Sequence, residues 1–566
     1  MLSATGASKG IGIGKVLIIK EQDLSFEAKT IENIEEEIKR YKNAVEAFCK
    51  NTEEAAEKLK ESASEKEAEI LMGHILMVKD PYMNGEIERL INLNQCAESA
   101  VDTVCDMFIT IFSSTDDELT KQRATDVADV RTSLMCLLLG IEEINIANVP
   151  KGTVIVAKDL TPSMTAGIKK ENVEGIITET GGKTSHSAIL ARALEIPAVL
   201  SLENACEILS DGEQVIVDGA EGIVINSPEE SQLSEYTQKR EKYLKEKEEL
   251  KKYIGKETLT KDGIKVELVG NIGKPDDANN VVDCDGEGVG LFRTEFLFMD
   301  RDKAPTEEEQ FDAYKKVALI MKEKPVIIRT LDIGGDKDIP YMHLEKEENP
   351  FLGFRAVRYC LRNRELYHTQ LKALLRASAF GNIKIMVPLV TCLNELTEVK
   401  EMISQIKSEL DNENISYNKN IEVGVMIETP AASLIADLLA KEADFFSIGT
   451  NDLTGYTMCV DRGNKNVSYL YSPFEPAVLR SIEHIIKCAK AENTPVGMCG
   501  EAAADPMLIP LLISFGLDEY SVTPSSVLET RKNISNWSKA EADKIAQTVM
   551  SLKTKEEIIE HLSTII

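Results

Sequence analysis

From Lys265 onward, short apolar runs recur with a helical stretch between most of them: Val266–Leu268, Gly288–Phe292, Val326–Arg329, Ile383–Pro388, Val423–Ile427, Phe445–Ile448, Pro495–Met498 and Glu519–Val522. Strands that alternate with helices pair in parallel, and a set of eight predicts a (β/α)8 barrel of the TIM type. The polar residues fall in a regular place. Arg293, Arg329, Glu428, Asn451 with Asp452, and Cys499 each stand at the C-terminal end of one of these runs. In a barrel those ends converge on one mouth, where active sites are built. Any one of these residues reads equally well as a surface group, but their common position does not.

A second constraint lies in Gly181-Gly182-Lys183-Thr184-Ser185-His186-Ser187-Ala188-Ile189-Leu190-Ala191-Arg192-Ala193. A glycine pair opens into a helix of small residues, with one His between two serines at its start. The first N–H groups of such a helix lack partners within it and lie at the positive end of its dipole, where phosphate binds. An imidazole there offers a ring nitrogen that can attack a phosphoryl group and carry it as phosphohistidine. A lone His in a βα loop is ordinarily a helix cap. The glycines and hydroxyls around His186, with the polar strand ends downstream, turn the reading toward chemistry.

A chain of 566 residues exceeds a single core and implies about three or four domains. Its 43% hydrophobic and 28% charged residues describe a water-soluble globular protein. No apolar run approaches the roughly 18 residues that span a bilayer. The eleven cysteines form no CxxC pair, so reduced thiols are expected. The first residues show no basic-then-apolar leader, so a cytoplasmic location is expected. A net charge of −30 argues against non-specific nucleic-acid binding and permits a basic protein partner.

The organisation that follows is multidomain α/β. Residues 1–22 and 146–228 read as an α/β domain built on Gly14–Lys20, Thr153–Ala157, Gly175–Thr178, Ile196–Leu200 and Gln214–Asp218. It is interrupted by a helical subdomain at 23–145, where breakers are few and apolar residues recur at helical spacing. A run of Glu, Lys, Gln and Tyr makes 229–258 a solvated helical linker, and 259–566 is the barrel.

At the barrel mouth two arginines match a substrate with several anionic oxygens. Glu428 and Asp452 suit Mg²⁺, which takes one or two protein carboxylates and completes its shell with substrate and water. Arg462 adds a third cation. Cys499 is a proton donor to carbon, or a small buried hydrophobe. Together they describe a small phosphorylated carboxylate on magnesium beside an acid. Phosphoenolpyruvate fits, since its phosphoryl group leaves and the enolate is protonated at carbon.

From Gly6 to about Pro524 the chain resembles Enzyme I of the bacterial phosphotransferase system, the phosphoenolpyruvate–protein phosphotransferases. The resemblance is carried by Asp159-Leu160-Thr161-Pro162-Ser163, Gly181 to Arg192, Gly288 to Phe296, Arg329 to Lys337, Asn349 to Arg355, Ser447 to Thr454 and Gly497 to Glu501. It implies that His186 is the phosphorylated nucleophile and Cys499 the acid that protonates enolpyruvate. It implies that Arg293, Arg329, Arg462 and Asn451 hold phosphoenolpyruvate, with Lys337, Arg355 and Asp452 in the same substrate site. Glu428 and Asp452 would bind Mg²⁺, the one cofactor expected. The partners implied are the phosphocarrier HPr on the helical subdomain and a second copy of the chain through the barrel. The α/β domain would swivel between barrel and carrier, and the pathway would be sugar uptake. Leu71, Ile75 and Met77 beside His74 are candidate docking residues, although core packing explains them as well. Gly455 (usually Gln in the family), Met164 (usually acidic) and Ala502-Ala503-Ala504 depart from the pattern without removing a named chemical group.

Thr5-Gly6-Ala7-Ser8-Lys9-Gly10-Ile11-Gly12 matches a dinucleotide-binding fingerprint, and Tyr243 with Lys247 supply a YxxxK. Such a loop must follow a strand and open a helix. Here a strand is expected after it, so the motif reads as a glycine-rich turn. Pyruvate phosphate dikinase and phosphoenolpyruvate synthase are nearer rivals, but they need an ATP-binding domain for which the insert leaves no room. A non-catalytic paralogue is disfavoured by the intact set of His186, Cys499, two carboxylates and three arginines.

Overall fold

The computed structural model describes the chain except residues 21–22, 30, 63–64, 115–117, 142–145, 147–148, 166–167, 183–184, 300, 335–338, 343, 346, 462–463 and 465, and describes the main chain alone at 58–62, 65–70, 118–122, 162, 193 and 340. It divides into two compact units, Met1–Lys247 and Glu248–Ile566. Lys183, Thr184, Lys337 and Arg462 lie outside the described residues.

The first unit holds an eight-stranded sheet in the order β1-β8-β7-β3-β4-β5-β6-β2. Its strands are β1 (Leu2–Ser3), β2 (Thr5–Ser8), β3 (Ile11–Ile19), β4 (Thr153–Ala157), β5 (Val173–Thr178), β6 (Ala198–Leu200), β7 (Gln214–Asp218) and β8 (Ile223–Asn226). The parallel run β3-β4-β5-β6 is the apolar part; every β4 side chain is buried, as expected of strands covered on both faces. The chain leaves the sheet after β3, forms helices α1 (Ile34–Ser62), α2 (Glu65–Val78), α3 (Pro81–Asn92), α4 (Ala97–Ser113) and α5 (Glu118–Leu139), and returns to pair β4 with β3. The helices bury their own core around Tyr41, Phe48, Ile87, Val101 and Leu134. Two short helices, α6 (Pro162–Thr165) and α7 (His186–Ala193), follow β4 and β5, and α8 (Glu230–Leu250) is the charged helix expected near 229.

Three strands were not expected: β1, β2 and β8. β1 and β2 are two and four residues long and form the two sheet edges, while β8 is a four-residue strand, Ile-Val-Ile-Asn, between β1 and β7. The glycine-rich Thr5–Gly12 is accordingly a strand, a turn at Lys9-Gly10, and the start of β3, with no helix opening from it. A Cβ on Gly12 would stand 1.9 Å from the Glu174 carbonyl oxygen, so glycine is there for a close backbone approach.

The second unit is a closed parallel barrel of eight strands: β9 (Glu267–Ile272), β10 (Val289–Arg293), β11 (Val326–Arg329), β12 (Ile383–Val387), β13 (Val423–Ile427), β14 (Phe446–Ile448), β15 (Val496–Met498) and β16 (Glu519–Val522). β16 pairs with β9 through Glu519↔Glu267 to Val522↔Gly270, which closes the ring. Leu291, Ile327, Met386, Met426, Phe445 and Cys499 form one buried cluster. A larger core lies between the strands and the surrounding helices. The fold expected from the recurring apolar runs is therefore the fold observed, and its strand limits differ by a few residues at most. Among the described residues no helix is long and apolar enough to cross a membrane.

Candidate active site

Chemistry-bearing side chains gather in two places, one in each unit. In the first unit, Ser185 caps α7 by accepting from the Ala188 N–H at 3.3 Å, which makes His186 the first helical residue. Ser187, the next residue, is fully buried and donates to Asp159 Oδ1 at 3.1 Å. The His186 side chain is half-buried, with its Nδ1 turned inward. Among the described residues its Nδ1 has no hydrogen-bond partner, and Nε2 lies 3.4 Å from the Thr165 hydroxyl. Burial pushes the imidazole down to about 4; Asp126 opposes this and His74 adds to it. At neutral pH His186 is therefore an uncharged base with a lone pair to offer. His74 is itself buried, 3.5 Å from Asp126 Oδ1 and 3.7 Å from Asp129 Oδ2.

The candidate docking residues need correction. Leu71 and Ile75 are buried, and Met77 packs against the helical core, because positions 71, 74, 75 and 78 form the inward stripe of α2. Met72 and Leu76 occupy the outward stripe and are 43% and 73% exposed.

In the second unit, the barrel assembles its polar residues at the C-terminal strand ends. Arg293 and Arg329 end β10 and β11 and are register partners. Glu428 directly follows β13, and Cys499 directly follows β15. Asn451 and Asp452 lie in the first turn of α9 (Thr450–Met458), just after β14. Gly449 permits this arrangement: a Cβ there would stand 2.8 Å from Glu428 Oε2.

The arginines are held by carboxylates that the strand-end reading passed over. Arg329 donates to Glu295 Oε1 at 2.9 Å and pairs with Asp332 Oδ2 at 2.8 Å. Arg355 donates to Asp332 Oδ1 from Nη2 at 2.7 Å and from Nε at 3.2 Å. Its Nη2 is also 3.7 Å from Asp452 Oδ2, and its Nη1 donates to the Tyr456 hydroxyl at 3.4 Å. Burial alone would raise the Asp332 carboxyl, but Arg329 and Arg355 hold it below its usual range. Glu295 is raised by burial against the pull of Arg329. The signal was present in the sequence as an acidic residue two or three positions after each arginine, in Arg293-Thr294-Glu295 and Arg329-Thr330-Leu331-Asp332.

Glu428 is 2% exposed and accepts from the Leu389 N–H at 2.6 Å. Burial, then the neighbouring Asp452 and Asp332, push it up to about 8. Two neighbouring carboxylates of this kind, with Arg355 only at 3.7 Å from Asp452, are a donor set that a hard divalent ion takes. Among the described residues no larger cluster of His, Cys, Asp and Glu forms a metal cage. Cys499 is 4% exposed and pushed up to about 11, mainly by burial. It is therefore protonated at neutral pH, within the buried cluster it shares with Met426 and Phe445. Asn451 accepts from the Glu501 N–H at 3.3 Å and so sits beside the Cys499 loop. Of the family departures, Ala502 and Ala503 are buried in the turn after Cys499, and Gly455 lies within α9.

Three family profiles match the chain: PEP-utilising enzyme, N-terminal, at residues 3–123; PEP-utilising enzyme, mobile domain, at 149–222; and PEP-utilising enzyme, PEP-binding domain, at 247–539. The phosphoenolpyruvate-protein phosphotransferase of Bacillus subtilis is 46% identical over 99% of this chain and 98% of its own length. That of Priestia megaterium is 44% identical over 100% of this chain and 98% of its own. A solution structure of an Enzyme I protein, 38% identical, covers 43% of this chain and 99% of its own length with a TM-score of 0.38.

Proposed function

The chain belongs to the phosphoenolpyruvate–protein phosphotransferase family, and on that premise we propose that His186 takes the phosphoryl group of phosphoenolpyruvate and passes it to a histidine of the carrier HPr. The observation that carries the reading is the barrel mouth, where Arg329, Glu428 and the buried Cys499 thiol stand at strand ends beside Asp452 of α9 and Arg355, with both guanidinium groups clamped by Asp332.

Arg293, Arg329, Arg355 and Asn451 bind the phosphate and carboxylate oxygens, assisted by Lys337 and Arg462. Glu295 and Asp332 keep the Arg329 guanidinium fixed, and Asp332 also fixes Arg355, so little reorganisation is needed when substrate charge arrives. Glu428 and Asp452 would hold Mg²⁺, which when bound supplies positive charge against the substrate's anionic oxygens. The neutral His186 ring attacks phosphorus with the lone pair of its unprotonated ring nitrogen, while the other nitrogen keeps the ring proton. A P–N bond forms and the P–O bond to enolpyruvate breaks. The enolate takes its proton at carbon from the Cys499 thiol and leaves as pyruvate.

One His serves two partners, so its α/β domain (1–22 and 146–228) swivels about the linker 229–258. The carrier docks on the helical subdomain 23–145, with the exposed Met72 and Leu76 on its face. The barrel domain (259–566) pairs two copies into a homodimer, and the protein works in the cytoplasm at the entry to sugar uptake. Intact mass after incubation with phosphoenolpyruvate and Mg²⁺, with and without EDTA, tests this on wild type and His186→Ala. The expected result is one acid-labile, metal-dependent phosphoryl adduct that the variant lacks. An adduct formed only with ATP, or none on folded wild type, would overturn the reading.

A further inference from the structure

The segment Asp159-Leu160-Thr161-Pro162-Ser163 is among the most distinctive in the chain, yet no step above uses it. In the fold it leads into α6, the one-turn helix whose last residue, Thr165, touches the His186 ring. α6 is held from the other side by Asp129 of α5, a carboxylate that is 3% exposed. Ser163 donates to Asp129 Oδ1 from its hydroxyl at 2.6 Å and to Oδ2 from its backbone N–H at 3.3 Å. Within the turn, the Ser163 and Thr161 hydroxyls lie 3.1 Å apart, and Thr165 Oγ1 donates to the Thr161 carbonyl at 3.1 Å.

Two facts separate this joint from ordinary packing. The first is that burying a carboxylate is costly unless its partners are well placed, and apolar contacts would join the two elements without that cost; Asp129 meets Ser163 at 2.6 Å and His74 only at 3.7 Å. The second is that the ring of His186 has little else to orient it. Among the described residues its Nδ1 has no hydrogen-bond partner and the Thr165 hydroxyl is the one group that hydrogen-bonds the ring, with Asp126 and His74 acting on it through charge alone. The hydrogen bond made by one imidazole nitrogen decides which nitrogen carries the proton and where the other lone pair points.

We propose that Asp129 is a positioning residue for His186: through Ser163 it fixes the α6 turn, and the turn presents the Thr165 hydroxyl that sets the ring's orientation and tautomer. The helical subdomain thereby contributes to the nucleophile as well as to carrier docking. This rests on the reading of His186 as phosphoryl acceptor for its catalytic consequence, although not for its structural content.

The test uses the full chain, deuterated and ¹⁵N-labelled at histidine, as wild type, Asp129→Asn, Ser163→Ala and Ser163→Thr, with His186→Ala to assign the signals. Long-range ¹H–¹⁵N spectra report the tautomer of His186 directly. The expected result is a shift of both His186 ring nitrogens toward tautomer-averaged values in Asp129→Asn and Ser163→Ala, with wild-type values kept in Ser163→Thr. Phosphorylation from phosphoenolpyruvate should slow about tenfold to a hundredfold in the first two variants, with KM for phosphoenolpyruvate unchanged. Should Asp129→Asn fail to fold, Ser163→Ala, which removes a single hydroxyl, carries the same test. Unchanged His186 ring signals in Ser163→Ala would overturn the proposal. A wild type that accepts no phosphoryl group would instead overturn the catalytic reading, and the ring spectra would still decide whether Asp129 orients His186.

Discussion

Replacing Asp332 by Asn should cost the barrel much of its stability. The carboxylate bridges two guanidinium groups, with Oδ2 2.8 Å from Arg329 Nη1 and Oδ1 2.7 Å from Arg355 Nη2, all of them largely buried. Charge centres in such pairs are about 4 Å apart, which at an effective dielectric of about 20 amounts to about 4 kcal/mol per pair. The variant loses about 8 kcal/mol of attraction by that reckoning. It also escapes the cost of burying the Asp charge, which offsets several kcal/mol and leaves about 3–5 kcal/mol net. For a domain of this size that is a fall of about 5–7 °C in the barrel's Tm, measured by scanning calorimetry at pH 7. The pH dependence has a definite sign. Arg329 and Arg355 hold the Asp332 carboxyl below its ordinary 3.8, so its contribution is present above that value and lost as pH falls through the folded value. The gap between wild type and variant should be widest at neutral pH and shrink below about pH 4. Phosphate ions should also raise the variant's Tm more than the wild type's, since an anion can replace the missing carboxylate between the arginines. A Tm within about 2 °C of wild type at pH 7, or a gap that grows on acidification, would refute the bridging role.

Cys499→Ala should slow pyruvate formation about 10²- to 10⁴-fold in a rapid-quench assay while leaving phosphoryl exchange between His186 and the carrier intact; loss of both would remove its role as acid. Because His186 is held down to about 4, its phosphorylation in single turnover should show no break near its ordinary 6.5 and should fall only toward about pH 4; a break at 6.5 would mean the ring is not buried as described. The same burial makes folding stability fall as pH drops below 6.5, where the unfolded chain binds a proton that the folded ring refuses. Arg531→Met should destabilise the barrel by about 3–5 kcal/mol in urea, because that buried side chain donates to Thr258, to the Tyr253 carbonyl and to Asp285; wild-type stability would show those bonds to be dispensable.

The eight barrel strands could be read in advance because each is a short apolar run, covered on both faces and bounded by helices. Strand ends could be read for the same reason: the first polar residue after such a run stands at the mouth, and this placed Arg293, Arg329, Glu428 and Cys499 correctly. The edge strands β1 and β2 carried no such run, since a short edge strand needs little apolar surface, and β8, between β1 and β7, is a run of only three apolar residues, Ile223–Ile225. Leu71 and Ile75 show a different limit. Apolar residues at helical spacing mark a stripe, but only the packed helix shows which stripe faces inward, and here it is theirs and not that of Met72 and Leu76.

The amino-acid sequence alone determined the division into an α/β sheet with a helical insert and a barrel, and it marked His186, Cys499 and the strand-end charges as the groups to watch. These are local properties: periodicity, glycine placement, and the residue type at an element's end. The tertiary structure decided how those groups behave. That His186 is neutral, that Glu428 is pushed upward while Asp332 is held down, and that Asp129 reaches Ser163 across 34 positions of sequence all depend on burial and on which charges meet. Desolvation and Coulomb attraction act through space, between residues that the sequence keeps far apart and only the fold brings together.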